Sequence, residues 1–324
     1  MMTRLNLEET LDIIKVPKST LILCHKNPDP DTLGSAFALK HVLEHFGSEV
    51  DVASCDKPSS KFSFITGETS MCYSDKKYER IIAVDVASPM QLGELSFLAD
   101  SVDLIIDHHA MNTRFAPYYE DLGASCAEII FSFYKALNID LPKHFFTCIY
   151  AGMSGDTGGF RYSNVTTRSM EYGAEVISHG IDHAEINRII FESKTLGEIK
   201  AQKLTFEKME LLCDGALAVI MMTNEMKAEN GIEDEDISDI VNNIRSIEGV
   251  LVAISIKQSG KNPQKYAISS RANCDIDVSA VCAMLGGGGH MRASGATVTS
   301  ADPVSAFNAC VPLFEKAVND FKAR

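Results

Sequence analysis

Cys24-His25-Lys26-Asn27-Pro28-Asp29-Pro30-Asp31-Thr32-Leu33-Gly34-Ser35 is the stretch on which the fold turns. It follows the apolar run Leu21-Ile22-Leu23, which has the character of a buried strand. Behind it, Leu33, Phe37, Leu39, Val42, Leu43 and Phe46 supply the core-facing side of a helix. One imidazole and two carboxylates thus occupy a tight turn at the carboxyl end of a strand, where open α/β sheets bind their ligands. Pro28 and Pro30 stiffen the turn and remove backbone donors that would neutralise the acids. Asp29 and Asp31 held that close repel unless a cation or a proton intervenes. A purely structural reading also accounts for the stretch: Asp31 caps the helix and Asp29 forms an Asx-turn.

The same arrangement recurs downstream. Residues 48–53 read as a second strand, and Ile81-Ile82-Ala83-Val84 as a third that ends in Asp85. Residues 102–106 form a fourth apolar run, leading straight into Asp107-His108-His109. Helical patterns cover 125–137 and 143–153, the latter running into Gly155-Asp156-Thr157-Gly158-Gly159-Phe160. Strands alternating with helices predict an α/β fold with a parallel sheet and crossover helices. Residues 167–180 predict another helix, and 184–212 a long helical linker or pair of helices. The second half starts afresh with a strand at 216–222, an acidic helix start at 233–236 and strands at 250–256 and 265–270. A helix at 278–285, a strand at 296–299 and a closing helix at 304–321 complete a smaller α/β domain. The expected division is 1–185 for the first domain, 186–211 for the linker and 212–324 for the second domain, with a cleft between the two.

Composition narrows the class. At 324 residues the chain is long enough for two cores, and its 45% hydrophobic and 23% charged residues are ordinary for a globular protein. No apolar run approaches a membrane span, and the first residues lack the apolar centre of a signal peptide, which predicts a cytoplasmic location without membrane attachment. Nine cysteines are scattered and never spaced C-x-x-C, which argues against a disulfide framework and against structural zinc. A formal charge of −14 opposes non-specific binding to long duplex DNA or anionic membranes. A short anionic substrate held by metal ions and a few arginines remains compatible with it.

His25, Asp29, Asp31, Asp85, His108 and Asp156 are the candidate metal ligands, with His109 adjacent. Four carboxylates and two imidazoles exceed the needs of one divalent ion and suit two. Such a pair, about 4 Å apart, can clamp both attacking and leaving oxygens of a phosphoryl group. A ligand set of imidazole and carboxylate without thiolate suits Mn2+ or another octahedral ion. Taken singly, each piece has a structural reading, His108-His109 as a capped core pair and Asp85 as a strand-end turn residue. Their joint occurrence at element ends favours the metal site. His41-Val42-Leu43-Glu44-His45 matches the H-x-x-E-H pattern of a zinc protease, but it lies on the helix after the first motif with no third ligand in sight.

These four segments resemble the motifs of the DHH phosphoesterase superfamily, with one extra residue, Gly159, before Phe160. The resemblance implies a site for two Mn2+ ions, one held by His25, Asp29 and Asp85, the other by Asp31, Asp85, His108 and Asp156. It implies that His109 contacts the scissile phosphate and that Asp107 orients a neighbouring imidazole. Asn112 and Arg114 follow closely enough to reach a substrate, although a surface role fits both equally. Gly286-Gly287-Gly288-Gly289-His290, with Ala293-Ser294-Gly295, is similar to the DHH-associated domain found downstream in one large subfamily. Glycines open the backbone to phosphate oxygens, and no Lys-Ser/Thr follows to make a P-loop. A flexible turn is the plain alternative. With Arg271 at a strand end and Arg292 beyond His290, the resemblance implies substrate binding by Gly287, Gly288, Gly289, His290, Arg271 and Arg292. No residues remain for the strand-gripping module of longer-substrate exonucleases or for the spans of membrane-bound relatives. The resemblance therefore points to the compact type that acts on short RNA or DNA oligonucleotides and on 3′-phosphoadenosine-5′-phosphate (pAp). A phosphodiesterase for cyclic-di-AMP or pApA, and a non-catalytic nucleotide-binding regulator, are the competing readings. A homodimer is compatible with the sequence, which does not fix the oligomeric state.

Overall fold

The structure, a computed structural model, describes residues 2–110 and 112–323. The chain divides into two compact units between Ser193 and Lys194.

In the first unit, α1 (Leu7–Lys15) precedes β1 (Thr20–Leu23), α2 (Pro30–His45), β2 (Val50–Ala53), α3 (Ser63–Thr66) and β3 (Arg80–Val84). A 3-10 segment (Pro89–Ser101), broken at the non-helical Gly93, then leads to β4 (Leu104–Asp107), β5 (Tyr118–Glu120), α4 (Cys126–Leu137), α5 (Lys143–Thr157), α6 (Thr167–Ser178) and α7 (His183–Asn187). The five strands form a parallel sheet in the order β2-β1-β3-β4-β5. Because both faces are covered, the inner strands β1, β3 and β4 are buried along their whole length rather than alternating. Ile22, Ile82, Val84 and Ile106 pack under α2, α4 and α5, whereas Leu21, Leu23, Ala83 and Ile105 pack against Leu92, Leu95 and Leu98 of the 3-10 segment. Helices α2 and α5 touch through glycines. A β-carbon on Gly34 would stand 2.4 Å from the Cys148 carbonyl oxygen, a contact that only a missing side chain relieves. Helix α1, whose start is an Asn6/Glu9 capping box, the 3-10 segment and β5 have no counterpart among the elements expected from the sequence.

The segment expected to be a long helical linker or a pair of helices takes the second form. After α7 the backbone loosens into a π-helix (Arg188–Glu192), becomes extended at Ser193 and restarts as α8 (Leu196–Lys208), then β6 (Glu210–Leu212). The restart has a local cause: Thr195 accepts from the Glu198 amide and Glu198 reaches back to the Thr195 amide, a capping box legible in the T-x-x-E spacing.

The second unit continues with β7 (Leu217–Met222), α9 (Asn224–Asn230), α10 (Ile240–Arg245), β8 (Val252–Gln258), β9 (Lys265–Ala272), α11 (Val278–Met284), β10 (Gly288–His290), β11 (Ala293–Thr299) and α12 (Pro303–Lys322). Its six strands run in the order β10-β11-β9-β8-β7-β6, with only β7 and β8 parallel. Helices α11 and α12 cover one face around Phe314 and Tyr266, and α8 and α10 cover the other around Leu204 and Ile244. The glycine run is partly a strand: β10 pairs with β11 across the two-residue turn Met291-Arg292. No helix among the described residues is long and apolar enough to cross a membrane.

Candidate metal centre

The strand order reverses at β1: the chain crosses from it to β2 on one side, and β3 and β4 fill the other. The carboxyl ends of β1 and β3 therefore flank the crevice where doubly wound sheets bind ligands. His25, Asp29 and Asp31 follow β1, Asp85 follows β3, and Asp107, His108 and His109 lie at the end of β4. Asp156 arrives from the last turn of α5.

Local forces fix each side chain. Asp29, not Asp31, caps α2: its Oδ1 accepts from the amides of Asp31 (2.9 Å) and Thr32 (3.1 Å). Asp31 sits in the first turn of α2, fully buried, and its two oxygens accept from the amides of Cys126 (2.7 Å) and Ala127 (3.0 Å). These are orphan donors at the start of α4, so the carboxylate also meets the positive end of that helix. Asp85 has φ 58°, a left-handed conformation uncommon outside glycine, held by its amide bond to the Ile106 carbonyl at 2.9 Å. His25 Nδ1 lies 2.8 Å from the Lys26 carbonyl and His108 Nδ1 3.2 Å from that of Gly123. With Nδ1 donating to those carbonyls, Nε2 is the nitrogen that each ring turns toward the acids.

The six candidate ligands and His109 converge. Asp85 Oδ2 stands 3.5 Å from His25 Nε2, and its Oδ1 stands 3.4 Å from His108 Nε2. His25 Nε2 is 3.6 Å from Asp29 Oδ1, and His108 Nε2 is 3.3 Å from Asp156 Oδ2 and 3.8 Å from Asp31 Oδ2. Ligand atoms of His25, Asp29 and Asp85 lie within 4.8 Å of one another, as do those of Asp31, His108 and Asp156. Asp85 Oδ1 and His108 Nε2 are buried yet make no hydrogen bond among the described residues. Neighbouring ligands of an octahedral ion with bonds of about 2.1 Å stand about 3 Å apart, close to these spacings. Donor type, spacing and the two unpartnered atoms all fit divalent cations.

The charges tell the same story. Burial, reinforced by Asp85, pushes the Asp31 carboxyl up to about 7. Burial, with Asp31 and Asp29 adding to it, raises Asp156 well above the carboxylate range. Burial works against ionising Asp85 as well, but His108 and His25 outweigh it and hold that carboxyl well below its usual range. Burial opposes charging His25 and His108, yet their carboxylate neighbours raise both well above 6.5. Protons thus neutralise a crowd of acids, and a divalent cation would displace them.

His109 differs in its partners. Its Nδ1 is 2.8 Å from Asp107 Oδ1, and Asp107 Oδ2 accepts from the Asn112 carboxamide. Burial disfavours its charge, but Asp107 and Asp85 prevail and raise it, which favours the imidazolium. The remaining predicted residues lie elsewhere. Arg114 pairs with Glu120, 3.2 Å to each oxygen, and covers the Tyr118 ring. Arg271 lies on β9, where its Nη1 donates to the Ser270 carbonyl at 2.9 Å, and His290 lies exposed on β10. Arg292 pairs with Asp275 at 2.6 Å. Gly287 has a packing reason to be glycine, since a β-carbon there would stand 2.1 Å from the Gly295 carbonyl oxygen. His41 of the protease-like pattern stands 2.9 Å from His144, and Glu44 pairs with Lys40, so that pattern is structural. Sequence reasoning missed the Cys126 and Ala127 amides, Asn164 and Arg168. Ser125 before an apolar run marked the helix start that presents those amides, whereas nothing local marked Asn164 or Arg168.

Residues 19–153 match the DHH family, N-terminal domain, and residues 214–320 match the DHHA1 domain. The chain thus carries a DHH-family N-terminal domain followed by a DHHA1 domain. It is 29% identical over 290 residues to a Streptococcus mutans protein named probable bifunctional oligoribonuclease and PAP phosphatase NrnA, covering 87% of this chain and 90% of that one. The Bacillus subtilis protein named bifunctional oligoribonuclease and PAP phosphatase NrnA is 23% identical over 299 residues, 91% of this chain and 94% of its own. Among solved structures, an exopolyphosphatase-related protein from Bacteroides fragilis superposes with a TM-score of 0.85 at 23% identity, over 98% of this chain and 96% of that one, a likeness of fold.

Proposed function

We propose that this protein is a phosphoesterase that hydrolyses short oligonucleotides and pAp with two divalent cations, Mn2+ foremost. One observation carries the reading: acids and imidazoles from four separated segments meet at the sheet's switch point, with Asp85 facing His25 through one oxygen and His108 through the other. His25, Asp29 and Asp85 would hold one cation, and Asp31, Asp85, His108 and Asp156 the other. Bound there, the cations would lower the pKa of a water nucleophile and draw charge from the phosphoryl oxygens. The chain's own residues do the rest. Asp85 stays ionised between His25 and His108, and Asp29 and Asp31 are held in register by helix-start amides. Asp107 accepts a hydrogen bond from the His109 Nδ1–H and so stabilises the imidazolium, whose Nε2–H can donate to a phosphoryl oxygen as negative charge develops. Asn112 steadies Asp107 from its other side.

Residues 1–185 form the catalytic domain in this reading, 186–211 the linker and 212–324 the substrate-binding domain. Arg271, His290 and the backbone of Gly287, Gly288 and Gly289 receive the nucleotide phosphates. Arg292 and Arg114, each already paired to an acid, contribute less. The relatives' names support the substrate class, since those proteins are described as acting on oligoribonucleotides and PAP. Thiols without C-x-x-C pairing support a cytoplasmic location. The test is a panel of pAp, pApA, cyclic-di-AMP and RNA of two to five nucleotides, assayed with Mn2+, with Mg2+ and with chelator. Cation-dependent turnover of pAp and the short RNAs is expected. No turnover of either with any cation, by folded protein, overturns the reading.

A further inference from the structure

Two side chains outside the ligand set hold two of its members. The Asn164 carboxamide uses both hydrogens of Nδ2, one on the Asp156 carbonyl and one on the Ala124 carbonyl, each at 3.1 Å. The Asp156 carbonyl belongs to the last turn of α5, where helix carbonyls lack a partner from their own helix. The Ala124 carbonyl belongs to the loop whose Gly123 carbonyl orients His108 through Nδ1. Arg168 pins the same loop from α6. Its guanidinium makes a two-pronged bond to Asp121, at 2.7 and 3.2 Å, while its Nε donates to the fully buried Glu128 at 3.2 Å. A fork of this kind fixes orientation as well as distance.

Resting on the two-cation reading above, we infer that Asn164 and Arg168 are positioning residues that set the affinity of the cation held by Asp31, Asp85, His108 and Asp156. Asn164 ties the backbone of one ligand to the loop that orients another, and Arg168 anchors that loop to α4. The cation at His25, Asp29 and Asp85 has no such dependence, because its ligands are fixed by the β1 turn, the α2 amides and the Ile106 carbonyl. Outer partners of metal ligands typically change metal affinity by about 10–100-fold.

The test titrates Mn2+ alone into the full chain, reading stoichiometry and both affinities by calorimetry and by the electron paramagnetic resonance of the free ion. Wild type takes up two ions. Asn164→Ala is expected to keep one at wild-type affinity and to bind the other about 10–100-fold more weakly. Asn164→Leu, similar in size but without donors, should do the same and so exclude lost volume as the cause. Arg168→Lys keeps the charge but not the fork, and should weaken the same ion with circular dichroism unchanged. Two ions bound within threefold of wild type by the Asn164 variants and by Arg168→Lys overturn the inference, as does equal weakening of both ions. A wild-type chain that binds fewer than two ions overturns the two-cation reading, and this inference with it.

Discussion

Gly152→Ala tests whether the proposed cation site depends on the closeness of three helices. Gly152 lies on α5, and a β-carbon there would stand 2.6 Å from Ala127 Cβ on α4 and 2.8 Å from Asp31 Oδ1 on α2. Non-bonded carbons rest about 3.5–4.0 Å apart, so about 1 Å must be made on the α4 side alone. Neither neighbour is the end of a flexible chain. Ala127 Cβ moves only with its helix, and Asp31 is tied to that helix by the Cys126 and Ala127 amides. Overpacking of this kind costs about 1–3 kcal/mol, while exchanging glycine for alanine within a helix returns about 1 kcal/mol. A net loss of about 1 kcal/mol is expected, read as a lower urea midpoint at unchanged slope. Because the relief displaces Asp31, Mn2+ affinity should fall together with stability. An alanine variant with a raised midpoint and wild-type Mn2+ affinity would refute the reasoning, since it would mean that the seam had room to spare.

Three further outcomes follow from the same geometry. His109→Gln should lower kcat for pAp by about 10²–10³-fold with Mn2+ affinity within a few-fold of wild type, and a loss of Mn2+ binding instead would make His109 a ligand. Mn2+ at 100 times its dissociation constant should add about 2.7 kcal/mol to stability per site, measured by urea unfolding with and without chelator, and an unchanged midpoint would exclude folded-state cation binding. Acid sensitivity should depend on His41, whose pKa burial, and then His144, pushes below 6.5. The unfolded chain takes up that proton near 6.5 while the folded chain refuses it until lower pH, so stability falls as pH drops through 6.5 and levels off below the folded pKa. His41→Gln should lose less stability than wild type between pH 7.5 and 5 in urea titrations, and equal losses would refute the assignment.

What the chain announces locally is considerable. Apolar strands that end in acid or imidazole are a short-range pattern, because a strand's last side chains and its following turn are neighbours in sequence. The parallel sheet, and the acids and imidazoles that converge at its strand ends, were legible that way. Local competition was harder to read: spacing alone offered Asp31 as the cap and Asp29 as an Asx-turn, and only the backbone path gave the cap to Asp29. The apolar periodicity over 184–212 fitted one helix or two, and the Thr195/Glu198 spacing marks where the second begins.

Other features exist only once distant parts meet. Asp31 accepts from amides 95 and 96 residues away, Asn164 bonds to carbonyls of two separate segments, and Arg168 reaches an acid 47 residues earlier. The left-handed backbone of Asp85 is imposed by its amide bond to β4, not by residue type. By itself the sequence determined which chemical groups stand at the strand ends, since that depends on spacing along the chain. Only the tertiary structure decided how their charges are shared and what holds them still, because both depend on burial and on partners that no spacing encodes.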